Sequence, residues 1–230
     1  MSTLCVAFDL DDTLYLERDY IRSGFGVVGQ WATAELGVKH FAERAWALFE
    51  QGRRGTIFNE VLQALGRFPE PALISKMVDI YRSHEPHISL LPDAAECLRS
   101  LQGHAVIGVV TDGPLASQRA KFRTLRLTEY CSLAVFTDQW GKEFYKPRLR
   151  GFELLQIRAR RGDLAFTYIG DNPMKDFAGP RALGWDTIRV RRQQGLHFAE
   201  EAAVGASPRM EVADLSRVSE ILGVPENSRA

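Results

Sequence analysis

The stretch FDLDDTLY, Phe8 to Tyr15, sets Asp9, Asp11 and Asp12 directly behind an apolar run, Leu4 to Phe8. Carboxylates gathered at the end of a buried strand call for a nearby cation, and they suit nucleophilic attack, proton transfer or the binding of a hard metal ion. Three later stretches carry comparable groups: VVTDG with Thr111, Asp112 and Gly113; YKP with Lys146 and Pro147; and IGDNPMKD with Gly170, Asp171 and Asp176. Each alone has a plainer reading. DxDxT serves equally as a capped turn, Thr111 and Asp112 before Pro114 as a helix start, Lys-Pro as a surface loop, and GDNPMKD as a turn into a helix.

Their positions give the set its meaning. Five short runs rich in Val, Ile, Phe and Thr predict strands: Leu4 to Phe8, Ala105 to Val110, Leu133 to Phe136, Phe166 to Ile169 and Thr187 to Val190. From the second strand onward they alternate with helical segments at Pro114 to Leu125, Arg150 to Arg161 and Met174 to Leu183, the pattern of an α/β fold with a parallel sheet. All four polar stretches follow strands, at the sheet edge where ligands of open α/β sheets bind.

Between the first two strands, four helices are predicted near Asp19 to Leu36, His40 to Glu50, Ile57 to Leu65 and Pro71 to Ser83, separated by Gly37, Gly52, Gly55 and Gly66. They read as a helical insert hinged at about Leu14 to Arg18 and Glu85 to Pro92. Gln193 to Pro208 reads as a surface segment, Val212 to Leu222 as a short final helix, and the end from Pro225 as frayed.

FDLDDTL, VVTDG, YKP and IGDNPMKD, in this order, resemble the four motifs of the haloacid dehalogenase superfamily of hydrolases, and the insert resembles that superfamily's helical type 1 cap. The resemblance implies a Rossmann-like parallel sheet of order 3-2-1-4-5, with residues 1–15 and 89–230 as catalytic core and 16–88 as cap. It also implies phosphoryl transfer. Asp9 matches the nucleophile that forms an aspartyl-phosphate, and Asp11 the acid that protonates the leaving group and later takes a proton from water. Two carboxylates facing a phosphate dianion require a cation, and Mg2+ suits an all-oxygen site. The family pattern assigns it side-chain oxygens of Asp9 and Asp171 and the Asp11 carbonyl, with Thr13 and Asp176 behind them. Thr111, Asp112, Gly113 and Lys146 form the phosphate-binding group, aided by the N-terminus of the helix after Pro114. Where the family often has Asn or Ser, the Asp112 side chain is expected to point away from the phosphate or contact a cap residue. Asp12 occupies a variable position and is expected to face solvent or cap local backbone, outside the chemistry.

In the insert, Arg53 and Arg54 of GRRGT, and Arg22 near the hinge, are candidate specificity residues, although a solvated turn and helix packing are the plainer accounts of them. Trp31, Phe41, Trp46, Phe49 and Phe58 fit its core. Over the whole chain, 29 basic residues balance 29 acidic ones, so no global field draws the protein to nucleic acid or to membranes. Cys5, Cys97 and Cys131 are odd in number and widely spaced, arguing against a disulfide framework or a zinc site. The N-terminus lacks a basic segment and a long apolar run, which predicts a cytoplasmic protein with no signal peptide, monomeric or homodimeric.

The expectation is a Mg2+-dependent phosphatase of a small phosphorylated metabolite such as a sugar phosphate. A phosphotransferase or phosphomutase would use the same residues. A 2-haloacid dehalogenase attacks carbon and lacks the acid at the Asp11 position, and a non-catalytic binding protein of the same fold would have no need of Asp9, Asp11, Lys146 and Asp171 together.

Overall fold

The segment LCVAF has no charged or strongly polar side chain, as befits a strand covered on both faces of a parallel sheet. As β1 (Leu4–Phe8) it lies in the interior of the sheet, with its last four residues fully buried. The computed structural model describes residues 4–159 and 164–225. In it, β2 (Ala105–Thr111), β3 (Leu133–Phe136), β4 (Ala165–Gly170), β5 (Asp186–Val190) and β6 (Met210–Val212) complete a sheet of order β3-β2-β1-β4-β5-β6. Every pairing is parallel. The expected order is therefore present, extended at one edge by a sixth strand.

Register sets the chemistry. Phe8 lies opposite Val109 on one side and Ile169 on the other, so the chain beyond all three leaves the sheet at one level. Asp9 begins there, with its N–H donated to Ile169 O at 2.8 Å.

The helices of this part are α5 (Pro92–Leu101), α6 (Leu115–Thr124), α7 (Arg150–Ala159), α8 (Ala178–Ala182) and α9 (Val218–Ile221). Phe152 of α7 meets Tyr168 of β4 edge-on, with ring centroids 5.0 Å apart, and Trp185 at 5.7 Å. α7 can approach because residue 108 is glycine: a Cβ there would stand 2.7 Å from Leu155 Cδ1.

The chain divides into two compact units, Met1–Glu17 with Ser89–Ala230, and Arg18–Ile88. The second is built from α1 (Glu17–Leu36), α2 (Phe41–Glu50), α3 (Ile57–Ala64) and α4 (Pro71–Ser83). Phe25 of α1 gathers Phe49, Phe58 and Tyr81 around it at centroid distances of 6.0 to 6.4 Å. Trp31 and Trp46, expected in this core, are instead half-buried beneath cations: Lys76 lies 5.3 Å from the Trp31 ring, and Arg22 lies 4.1 Å from that of Trp46. Among the described residues no helix is long and apolar enough to cross a membrane.

Some boundaries differ from the sequence reading. α5 was not predicted, and the final helix shrinks to Val218–Ile221 because Met210–Val212 is drawn into the sheet. α8 starts four residues late, since Asn172 folds residues 172–176 into a turn: its side-chain oxygen accepts the Met174 N–H and its carbonyl the Asp176 N–H. The parts of the predicted segments at 160–161 and 226–230 lie outside the described residues.

Candidate active site

Asp9, Asp171 and Asp176 each offer a carboxylate oxygen within 4.8 Å of the others, and all three are buried. Asp9 follows β1, whereas Asp171 and Asp176 follow β4. Gly170 admits the third acid, because a Cβ at that position would collide with Asp176 Oδ2. The positive charge comes from Lys146, fully buried, with Nζ at 2.9 Å from Asp9 Oδ2 and 2.7 Å from Asp176 Oδ1, and donating to Tyr168 Oη at 2.8 Å. Burial disfavours the Lys146 charge, but Asp176 and Asp9 overcome that and hold its pKa well above the usual lysine value. The Lys146–Pro147 peptide is cis.

One ammonium does not neutralise three carboxylates. The remainder falls on Asp171, whose carboxyl is pushed well above the usual range by burial, then by Asp176 and Asp9. Asp9 Oδ1 is buried without a hydrogen-bond partner. An orphaned carboxylate oxygen beside a second, strained carboxylate is the donor set of a hard divalent cation, so the residues fit magnesium. Asp176 Oδ1 is paired with Lys146 by charge without an aligned hydrogen bond, and its Oδ2 accepts the Asn172 N–H at 2.9 Å.

Asp11 sits apart from this cluster in a clamp of its own. Lys121 Nζ lies 2.7 Å from Oδ1, Gln118 Nε2 donates to Oδ2 at 3.1 Å, and the Tyr15 hydroxyl donates to Oδ1. Burial would raise this carboxyl; the Lys121 charge and the hydrogen bonds of Lys121, Tyr15 and Gln118 outweigh burial and lower it. Gln118 also faces Thr111, accepting from its hydroxyl at 3.4 Å, and packs under Gly113, whose φ of 119° few other residues tolerate. Sequence reading missed the clamp. The available signal was α6 itself, which buries Ser117, Gln118 and Lys121 where apolar residues would be expected.

The Asp112 side chain accepts from Thr137 Oγ1 at 2.6 Å and from the Lys146 N–H at 3.1 Å, bracing the lysine loop. Lys175, also not anticipated, lies 3.7 Å from its other oxygen, with about a third of its side chain exposed. The first N–H of α6 is donated to Asp138 at 2.9 Å, so that helix start is already capped. Thr13 is buried, and its carbonyl accepts from Arg192 at 2.7 and 3.1 Å.

Asp12 requires a correction. It does not face solvent: with φ of 50° it turns inward, 1% exposed, and accepts the N–H of Glu17 at 2.8 Å and of Leu196 at 2.7 Å. It caps local backbone as expected and also moors a distant loop. In the helical unit the arginines have partners of their own. Arg53 pairs with Glu60 at 3.0 Å, Arg54 donates to the Phe49 and Arg53 carbonyls, and Arg22 lies over Trp46.

An open parallel sheet whose strand ends deliver a buried acid cluster, a buried lysine and a clamped aspartate defines a doubly wound α/β protein with its polar site at the carboxyl edge of the sheet. The chain belongs to the haloacid dehalogenase-like hydrolases, whose family model matches residues 3–184. It is 28% identical over 94% of its length to a ribulose-1,5-bisphosphate 5-phosphatase of Halopiger xanaduensis, covering 96% of that protein. It is 27% identical over 81% of its length to a glyceraldehyde 3-phosphate phosphatase of Methanopyrus kandleri, covering 83% of it. Among solved structures, a magnesium-bound HAD-hydrolase from Bacillus subtilis superposes with a TM-score of 0.68 at 18% identity, over 97% of this chain and 100% of that one.

Proposed function

We propose that the protein is a magnesium-dependent phosphatase acting on a small phosphorylated metabolite of the sugar-phosphate class. The observation that carries the reading is Asp9: one oxygen is held by Lys146 and the other is buried and unpartnered beside Asp171. That is a carboxylate prepared to meet a cation and a phosphorus atom together. The names of the relatives support the substrate class, since two of them act on phosphorylated sugars.

In this reading Asp9, Asp171 and the Asp11 carbonyl hold the metal, with Asp176 fixing Lys146 behind them. The bound cation supplies neutralisation of the phosphate charge as it shifts between oxygens. Asp9 attacks phosphorus, the ester P–O bond breaks, and Asp11, which takes up a proton as the anionic ester enters beside it and offsets the pull of Lys121, gives that proton to the departing oxygen. Water then attacks the aspartyl-phosphate and passes a proton to Asp11, restoring Asp9 and releasing phosphate. Lys146, the Gly113 N–H and the Thr111 hydroxyl bind the phosphoryl oxygens; Thr111 must turn from Gln118 to do so. Asp112 serves that group indirectly, by bracing the Lys146 loop. The helical unit, inserted directly after the first motif, acts as the cap that selects substrate.

The test is phosphate release from a panel of sugar phosphates, sugar-acid phosphates, nucleotides and phosphoglycolate, with magnesium and with EDTA. Asp9→Asn is expected to lower turnover at least about 1,000-fold with the fold intact by circular dichroism. Turnover by that variant at the wild-type rate, or equal rates in EDTA, removes the proposal.

A further inference from the structure

The clamp on Asp11 has a division of labour that the phosphatase reading alone does not require. Oδ1 carries Lys121 and the Tyr15 hydroxyl, whereas Oδ2 takes the Gln118 amide. A carboxylate held by three donors from two elements cannot rotate freely about its Cβ–Cγ bond. Oδ1 is fully occupied in this arrangement, and Oδ2 keeps a lone pair for a ligand. The donors are themselves fixed. Lys121 is nearly buried, with 4% of its side chain exposed, and Gln118 is buried beneath Gly113. Tyr15 is fully buried.

We propose that Lys121 is a positioning residue for Asp11, holding that carboxylate with Oδ2 towards the ester oxygen, and that Gln118 and Tyr15 share this role. The proposal rests on the phosphatase reading, because it presumes that Asp11 exchanges the proton. Lys121 itself touches neither phosphate nor leaving group. Its ion pair is with Asp11, and this makes its effect on the acid separable from that of a residue that binds substrate or merely supports the fold. Leaving groups that depart readily as anions need little help from Asp11, whereas poor ones need its proton, so loss of aim is felt only by the second kind.

The experiment compares kcat/KM for phenyl phosphate and 4-nitrophenyl phosphate in the wild type, Lys121→Met, Asp11→Asn and the double variant. Lys121→Met is expected to lower the phenyl ester value about 30-fold and the nitrophenyl value less than about 5-fold. In the Asp11→Asn background the same change is expected to cost less than about 2-fold on either ester, because there is no longer an acid to aim. Equal losses on the two esters, or losses that multiply in the double variant, overturn the positioning role. If Lys121→Met does not fold, Gln118→Ala and Tyr15→Phe carry the test, with the same selectivity expected at about 3- to 10-fold and the same contrary outcomes. Retained turnover in Asp9→Asn instead removes the phosphatase reading, and the proposal with it. An inactive Asp9→Asn beside an unselective Lys121→Met overturns only the role of Lys121.

Discussion

Asp171 gathers the unfavourable electrostatics of the site into one side chain. Its carboxyl is raised by burial and by the like charges of Asp176 and Asp9, so without metal the folded state is strained by its ionisation, and a bound cation reverses that balance. Asp171→Asn is therefore expected to raise the melting temperature of the EDTA-treated protein. Saturating magnesium at about 100-fold above its Kd should stabilise the wild type by about 2.7 kcal/mol, or roughly 5–10 °C at this chain length. In the variant that gain should vanish. A magnesium shift of the same size in both proteins would exclude Asp171 as a ligand. Asp9 and Asp171 were legible in the sequence because residues just beyond parallel strands must emerge at one edge, whatever the details of packing; Lys146 and Asp176 lie further past β3 and β4 and were reached through the motif resemblance. Lys121, Gln118 and Tyr15 were not, since what brings them to the site is the pitch of a helix and the depth of a turn. Of the two readings of Asp12 the capping one holds and the solvent-facing one does not, because a positive φ, invisible in residue type alone, turns its side chain inward.

At the scale of elements, legibility followed burial. β1 and β3 were found to the residue, and the helices of the insert to within two, because their apolar periodicity is strong. β6 is three residues long and largely exposed, so it offers no pattern and takes its conformation from pairing with β5. α5 begins at Pro92, where the sequence had suggested a hinge. The start of α1 carries a pH dependence. The Glu17 carboxyl is pushed up to about 8 by burial and then by Asp11, with Asp12 adding to it, against an ordinary value of 4.5. Between those two values the folded protein holds a proton that the unfolded chain has released, so stability falls as pH rises and levels off above about 8. Glu17→Gln should remove this dependence. Urea unfolding in EDTA is expected to find the variant equal to the wild type at pH 4 and more stable by roughly 2 kcal/mol at pH 8.5, discounting for partial exposure. A difference that does not grow with pH would mean that Glu17 is ionised in the fold.

For the whole molecule, the sequence order of elements made the α/β class legible, but not how the segment after β5 closes back on the first motif. Arg192 makes that closure. Its guanidinium donates twice to Thr13 O and lies 2.8 Å from Asp93 Oδ2 on α5, while the same Asp93 oxygen accepts the Leu215 N–H at 2.8 Å. Four segments from across the chain thus meet at one nearly buried ion pair, 8% and 18% exposed at its two side chains. Removing the cation would leave the Asp93 carboxylate without its counter-charge and the Thr13 carbonyl without its two donations, a loss typically larger than the net worth of the pair itself. Arg192→Met, which keeps much of the stem's packing, is expected to destabilise the protein by about 3–5 kcal/mol, lowering the urea midpoint without altering the slope. Arg192→Lys should recover only part of this, since an ammonium cannot reproduce the two parallel donations to Thr13 O together with the contact to Asp93. Because Thr13 lies two residues beyond Asp11, the loss should also reach the site, with the affinity for magnesium falling alongside stability even where the variant is fully folded. Wild-type magnesium affinity in a folded but destabilised Arg192→Met protein would confine the residue to holding the chain together.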